Sequence, residues 1–449
     1  MPLKNWRTPE RREVGLFTDL RLFSEALELA SEQGIITKQY LIEELSQRVQ
    51  GLLFVESQSP RGVERLISEL RSFNWLQSID SSSKSLNNTK YRLTYHGEEA
   101  LKVFRSGKKE FLRLLTTQMH DLYSIPGWFV YRLWCINPNG QGEVVVPTPP
   151  RDWRPNSRPW EDKGWTDELA AQTKLSFQII QTVCPGAFPI EEIIWVENVK
   201  EAWSRLSNLK RKKVAKSSNE VAGLEKEKIK KYAPRGRLAM AMKEAAVKLL
   251  FSNIPPNSGE PDFGTRKQPL LPRTYMAWCP RLETLELIFY TDVHPLIPGR
   301  LIFPTSVFRE TASIDSFERL NAIKNPNGEY LWLHQPKWNS MKAHFLDILV
   351  QEHQRAYTRV GSLYVSLQDV RDEVCRQLRL SAACFDDFMD RALRESLRPD
   401  SRFSISVETD IREDQRSAHR LIRRPVWVGG TPHSLIAITE IREVERTVQ

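Results

Sequence analysis

The stretch that begins at Ser59, SPRGVERLISELRSFNW, constrains the fold more than any other part of the chain. Ser59 supplies an N-cap and Pro60 a fixed φ suited to a first helical position, so a helix is predicted to start here. Val63, Leu66, Ile67, Leu70 and Phe73 recur at the i, i+3, i+4, i+7 spacing of one apolar stripe. Opposite that stripe lie Arg61, Arg65, Ser68 and Ser72, with no acid on the centre line. Trp75 to Ile79 follows as a predicted strand, SSSKSLNNTK as a polar turn, Tyr91 to Thr94 as a returning strand and Gly97 to Phe104 as a closing helix. Ahead of this set, an amphipathic helix is expected from Leu16 to Ala30, ending near Gly34. A second is expected after Thr37, with Tyr40, Leu41, Leu45 and Val49 on one side.

Three helices, a strand, a polar loop, a strand and a helix form the order of a winged helix-turn-helix. The run Tyr91-Arg92-Leu93-Thr94-Tyr95-His96-Gly97-Glu98-Glu99-Ala100-Leu101 resembles the wing-to-final-helix junction of bacterial winged-helix regulators. The shared pattern is Leu-Thr-x-x-Gly with a further Leu four residues on, and the resemblance covers about the first quarter of the chain. It implies a third helix in the major groove and a wing on the DNA backbone. Arg61, Arg65 and Ser68 would then face the groove, and Lys84, Asn87, Asn88, Lys90 and Arg92 would belong to the wing. The residues make a case of their own, because two arginines a turn apart can set guanidinium forks against guanine edges or phosphates. The competing expectation is that Arg61 and Arg65 pair with Glu64, Glu69 or other surface acids.

Charge points to the same class of partner. The chain has a net charge of +9 and a pI near 9.2. Between Arg205 and Arg237 stand 12 Lys and Arg against 3 Glu, so this one stretch carries the whole excess. Lys210, Arg211, Lys212, Lys213 and Lys216 form a first cluster, and Lys226, Lys228, Lys230 and Lys231 a second. The stretch is expected to be a helix end, a polar segment and a basic lead into the next helix, serving as a phosphate-binding arm. A solvated lysine linker is the alternative.

The middle of the chain, 107–206 and 238–338, has the look of mixed α and β structure. Seven of the 13 Trp crowd Trp128 to Trp203. WFVYRLW and EVVVP are predicted as strands, and helices are expected from Thr166 to Thr182 and from Ile190 to Leu206. A further helix is expected from Leu238 to Leu250. TYMAWCP and LETLELIFY are predicted as a strand pair, and Arg300 to Phe308 as another strand. The Trp and Arg of PTPPRDWRPNSRPW could stack single-stranded bases, but an ordered loop covering a core edge is the favoured expectation.

Residues 339–449 repeat the winged order without repeating the sequence. A helix from Met341 to Thr358 leads to the strand Tyr364-Val365. Ser366 and Asp369 then open a helix bearing Val370, Val374 and Leu378. A third helix after Ser381 buries Phe385, Phe388, Met389 and Ala392, and strands follow at 403–408, 426–428 and 435–439. Asp387, Asp390, Arg391 and Arg394 lie opposite the stripe of that third helix, which favours protein contact over groove reading. The loop IREDQRSAHRLIRRP, with Arg412, Arg416, Arg420, Arg423 and Arg424, suits phosphate or forms a self-paired hairpin.

The motifs of common enzymes are missing. No GxxxxGK[ST], GxGxxG, HExxH or GxSxG occurs, and the eight His and five Cys are scattered. Glu260, Asp262, Glu283, Glu286 and Asp292 could support a metal-dependent nuclease only if they converged, and Glu283 and Glu286 are predicted on opposite faces of a strand. The cysteine pattern suits a reducing compartment, no apolar run reaches membrane-span length, and the N-terminus is charged where a signal peptide needs an apolar core. The expectation is therefore a cytoplasmic, multi-domain α+β protein with no cofactor, metal or catalytic residue. Its domains would be a winged helix over 1–106, a Trp-rich region over 107–206, a basic arm over 207–237, a mixed region over 238–338 and a winged-helix-like domain over 339–449. Such a chain would be a DNA-binding subunit of a larger prokaryotic assembly for genome defence or DNA processing, with partner proteins. A nuclease and a protein-only scaffold are the alternatives.

Overall fold

The computed structural model describes residues 21–48, 60–79, 89–122, 125–153, 164–214, 234–251, 271–305, 307–308, 317–324, 330–398, 401–409 and 425–440. They form a mixed α+β protein with 13 helices and small antiparallel sheets. Two units divide the chain, one of Met1–Phe129, Pro256–Leu285 and Leu320–Leu331, the other of Val130–Pro255, Glu286–Arg319 and Trp332–Gln449.

The first unit begins with α1 (Arg21–Gln33), β1 (Ile36–Thr37), α2 (Lys38–Arg48), α3 (Pro60–Ser72), β2 (Leu76–Ser78), β3 (Lys90–Leu93), α4 (Tyr95–Ser106) and α5 (Lys108–Leu122). Leu22, Phe23, Ala26, Leu27 and Ala30 of α1 are buried, and Gly34 ends that helix at φ +69, a left-handed conformation costly for other residues. The Thr37 hydroxyl accepts from the Tyr40 amide at 3.2 Å and so caps α2. The entire expected stripe of α3, from Val63 to Phe73, is buried. Phe73 meets Trp75 at a centroid distance of 5.1 Å and Phe23 at 5.7 Å, and Trp75 continues to Phe111 of α5 at 6.0 Å. The three strands run antiparallel in the order β1-β3-β2. Missing from the sequence expectation is β1, two residues long.

Physical causes for the Leu-Thr-x-x-Gly junction are visible in α4. Thr94 is its N-cap, accepting from the Gly97 amide at 3.1 Å and donating its hydroxyl proton to the Asn74 carbonyl. Gly97 runs so close to the preceding turn that a Cβ there would stand 2.1 Å from the Trp75 carbonyl oxygen. Leu101, four residues on, is buried.

The middle elements are α6 (Ile125–Ile136), β4 (Val144–Pro147), α7 (Asp167–Val183), α8 (Glu192–Val214), α9 (Pro234–Phe251), α10 (Leu271–Thr284), β5 (Ile288–Thr291), β6 (Gly299–Pro304), β7 (Val307–Phe308), β8 (Phe317–Lys324) and β9 (Tyr330–Pro336). Two predicted strands are helices. WFVYRLW lies in α6, where a run apolar on all sides carries no periodicity to separate helix from strand. TYMAWCP lies in α10, where Tyr275, Trp278, Cys279 and Leu282 are buried at helical spacing despite Pro280 inside the helix. In the second unit, β4, β6 and β5 form an antiparallel sheet in the order β4-β6-β5, with Phe289 and Phe303 stacked as cross-strand partners at 4.9 Å. Helices α8 and α9 lie antiparallel, linked by Arg205–Glu244 and by Lys248–Glu201 at 3.5 Å. Arg132 of α6 donates twice to the Leu250 carbonyl, at 3.1 and 2.9 Å, satisfying a group that the end of α9 leaves without a helical partner.

The second unit ends with α11 (Trp338–Val360), β10 (Val365–Ser366), α12 (Leu367–Leu378), α13 (Ala382–Ser396), β11 (Phe403–Glu408), β12 (Val426–Val428), β13 (Thr431–His433) and β14 (Leu435–Glu440). Ser366 caps α12 by accepting from the Asp369 amide at 3.2 Å, and Ser381 caps α13 through the Cys384 amide at 3.0 Å. Phe385, Phe388, Met389 and Ala392 are buried as expected, with Phe345 edge-on to Phe388 at 5.3 Å. The sheet order β10-β14-β11 reproduces β1-β3-β2 at the other end of the chain: the first strand follows the first helix, and the last strand is central. A hairpin of β12 and β13, of which the sequence suggested only the first strand, packs on α13.

Candidate nucleic-acid interface

The outward strip of α3 is a consequence of its wheel. Gly62, Val63, Leu66, Ile67, Glu69 and Leu70 turn inward, leaving Glu64, Ser68, Arg71 and Ser72 exposed and Arg65 half-buried. Arg61 lies in the first turn of the same helix, and its side chain is outside the described residues. The one acid on the strip, Glu64, is ion-paired with Lys38 of α2. Glu69 takes no part in the strip. It is 2% exposed and held bidentately by Arg281 of α10, itself 3% exposed, at 2.7 and 2.8 Å. The guanidinium of Arg281 also stands over the Trp278 ring at 5.3 Å. Once α10 is a helix this pairing has a donor, and Glu69 is engaged there. Arg71, in the last turn of α3, extends the basic strip beyond the residues singled out from the sequence.

Lys90 and Arg92 are exposed at alternate positions of β3 and share one face of the sheet. Lys90 pairs with Thr37 and Arg92 with Gln77 in the strand register. With its carboxamide oxygen turned toward Arg92, Gln77 accepts from the guanidinium at 2.7 and 3.1 Å. Lys84, Asn87 and Asn88 lie outside the described residues, as do Lys216, Lys226, Lys228, Lys230, Lys231, Arg412, Arg416, Arg420, Arg423 and Arg424. Lys210, Arg211, Lys212 and Lys213 belong to α8, which runs to Val214 instead of stopping at Leu206. Cations suit the final turn of a helix, where the backbone dipole is negative.

The outward residues of α13 are paired with each other. Arg391 meets Asp387 at 3.1 Å, Arg394 meets Asp390 at 2.5 Å, and Asp390 also accepts from the Gly429 amide at 3.0 Å. Helix α12 is buried almost all round. Its polar side faces the middle of the second unit: Thr291 of β5 donates to Asp372 at 2.7 Å, and Arg371 donates to the same carboxylate at 2.9 Å. The Leu296 amide donates to Nδ1 of His294 at 3.2 Å, and Nε2 of the same ring stands 3.1 Å from Glu373. Arg376 donates to Glu143 at 3.2 Å and to the Val183 carbonyl at 3.2 Å. Arg379 donates to the Gly140 carbonyl at 3.0 Å, lies 3.2 Å from Glu143 and sits over the Phe303 ring at 4.9 Å. Burial raises the Glu373 carboxyl, but His294 and Arg376 beside it outweigh that and leave it below its ordinary value. Burial pushes the neighbouring Cys184 thiol upward, with Arg376 opposing, so the thiol stays protonated near neutral pH.

Of the carboxylates considered for a nuclease, Glu286 and Asp292 are engaged elsewhere. Glu283 lies in the last turn of α10 and Glu286 in a turn at φ +61, so neither stands on a strand. Glu286 accepts from Ser381 at 3.4 Å, and Asp292 holds Arg300 bidentately at 2.5 and 2.6 Å. Glu260 and Asp262 lie outside the described residues. Among the described residues no three His, Cys, Asp or Glu are placed to share a metal ion. No described helix is long and apolar enough to cross a membrane. Trp153, in the Trp/Arg loop, is buried and donates from its indole to Glu168 at 3.0 Å, as a core-edge residue does. No protein family, curated protein or solved structure matches this chain.

Proposed function

We propose that the chain is a non-catalytic subunit of a larger assembly and binds duplex DNA through the outward strip of α3. The observation that carries this is the composition of that strip: arginines and hydroxyls over 13 residues, with its one acid already neutralised by Lys38. A helix of that length is about 20 Å long and about 10–12 Å wide, dimensions that a major groove about 12 Å wide accepts. The preceding two helices and the sheet in the order β1-β3-β2 are the scaffold on which winged helices present such a helix, which is further support. The end of α8 and the lysines after it would add sequence-independent phosphate contacts. The second module has its α12 committed within its own unit and the charges of α13 paired, so the reading assigns DNA contact to the first.

The test is affinity for a mixed-sequence duplex against salt, by fluorescence anisotropy, for wild type, Arg65→Ala/Arg71→Ala and Lys210→Ala/Lys212→Ala/Lys213→Ala. Each phosphate contact contributes about −0.9 to the log–log salt slope. A wild-type slope of about −4 or steeper, flattened by about one to two in the α3 variant, is expected. A flat response unchanged by either variant rejects the proposal.

A further inference from the structure

The outer face of the sheet β1-β3-β2 is a second exposed surface, separate from the α3 strip. Continuing the register of β1 by one residue sets Ile35 level with Arg92, and Gln77 is Arg92's partner on the other side. In the next row Thr37 pairs with Lys90, whose carbonyl accepts from the Ile79 amide at 2.9 Å. The face is therefore two rows of three, Ile35-Arg92-Gln77 and Thr37-Lys90-Ile79. The isoleucines occupy opposite corners, and the two cations sit in the middle, one on each side of the diagonal. Ile35 is 53% exposed and Ile79 41%, although β-branched aliphatic side chains are ordinarily among the most buried. Ile36, Leu76 and Tyr91, on the opposite face, are buried.

From this grid we infer that the sheet face docks an acidic amphipathic helix of a partner protein. Strands about 4.8 Å apart and rising about 3.4 Å per residue put the corner isoleucines about 12 Å apart. Eight residues of α-helix rise by about the same 12 Å, so apolar residues at i, i+4 and i+8 would lie along the diagonal. Carboxylates flanking that stripe on both sides would meet Arg92 and Lys90. Other occupants fit less well. A second copy of the chain would set Lys90 and Arg92 against themselves. A nucleic acid would leave the two isoleucines against phosphate or sugar, and the face offers no aromatic ring for a base to stack on.

A library of displayed random 16-residue peptides, selected on the full chain, tests this. Enriched peptides should be rich in Asp and Glu with aliphatic residues three, four and seven or eight apart. Synthesised with a fluorophore, they should bind wild type and lose at least tenfold in affinity with Lys90→Glu/Arg92→Glu and with Ile35→Ser/Ile79→Ser. Arg65→Ala/Arg71→Ala should leave them unaffected, which keeps this result separate from the DNA proposal. A peptide with its acids changed to Lys should bind Lys90→Glu/Arg92→Glu better than it binds wild type, which a misfolded variant could not reproduce. No acidic enrichment, or equal binding to all variants, overturns the inference. So does loss of duplex affinity in Lys90→Glu/Arg92→Glu with no peptide enriched, because the face then belongs to nucleic acid.

Discussion

Gly97 has no substitute that the fold accepts at no cost. The smallest side chain would press its Cβ into the Trp75 carbonyl, an atom already accepting from the Thr94 amide at 3.0 Å. Gly97→Ala should lower stability by about 1–3 kcal/mol, the range for forced overpacking, seen as a reduced urea midpoint in the first unit. The Glu69–Arg281 pair makes a sharper case. Removing one partner leaves a buried charge, so Arg281→Met should cost about 3–5 kcal/mol, whereas Glu69→Leu/Arg281→Met should recover much of that loss. A double variant as unstable as Arg281→Met alone would rule this account out. His353 supplies a pH signature. Burial lowers its pKa from 6.5, and the Leu363 carbonyl, 3.0 Å from Nε2, offsets that only in part. The unfolded chain therefore takes up the proton more readily than the folded one. Stability from this group is whole above about pH 6.5 and declines as pH falls through that value toward the folded pKa. Urea titrations at about pH 7.5 and pH 5.5 should show that decline in wild type and less of it in His353→Gln.

Periodicity decided which elements the sequence disclosed. Where one face is buried and the other wet, as in α3 and α13, the apolar stripe could be named in advance, as could the Ser381 cap of α13, whereas the expected Ser59 cap of α3 lies outside the described residues. Both α6 and α10 escaped because their aromatic and aliphatic residues mimic a strand, and α10 holds Pro280 inside it, where a proline is disfavoured. The ladders β1 and β10 are two residues each, too short for any alternation, and yet they fix the strand order at both ends of the chain. Of the candidate interface, Arg65, Ser68, Lys90 and Arg92 were legible as residues. The grouping of Lys90 and Arg92 with Ile35 and Ile79 on one sheet face was not, because it depends on which strand lies in the middle. The partner of Glu69 was equally hidden, 212 residues away along the chain. At this scale the caps are testable. Ser381→Ala removes the acceptor for the Cys384 amide and should cost about 1 kcal/mol. The loss should fall on α13 and leave the first unit's thermal transition where it was.

Across the whole molecule, one topology occurs twice and is employed in two ways. At the N-terminal end the third helix keeps a basic strip outward. At the C-terminal end the second helix is locked to the middle sheet by Asp372, Glu373, Arg376 and Arg379. Acid should release that lock. Glu373 has a folded pKa below its ordinary 4.5, so its contribution is present above that value and lost as pH falls through the lower one. An early, separate loss of tertiary signal below about pH 4.5, delayed in Glu373→Gln, is the expected observation. A joint of this kind also behaves differently from an oily one when it parts. Glu143, His294, Asp372, Arg376 and Arg379 would meet water as charges and hydrogen-bonding groups, which solvent welcomes. Separation should proceed with little change in heat capacity, and the parted surfaces should stay dispersed where apolar ones would clump.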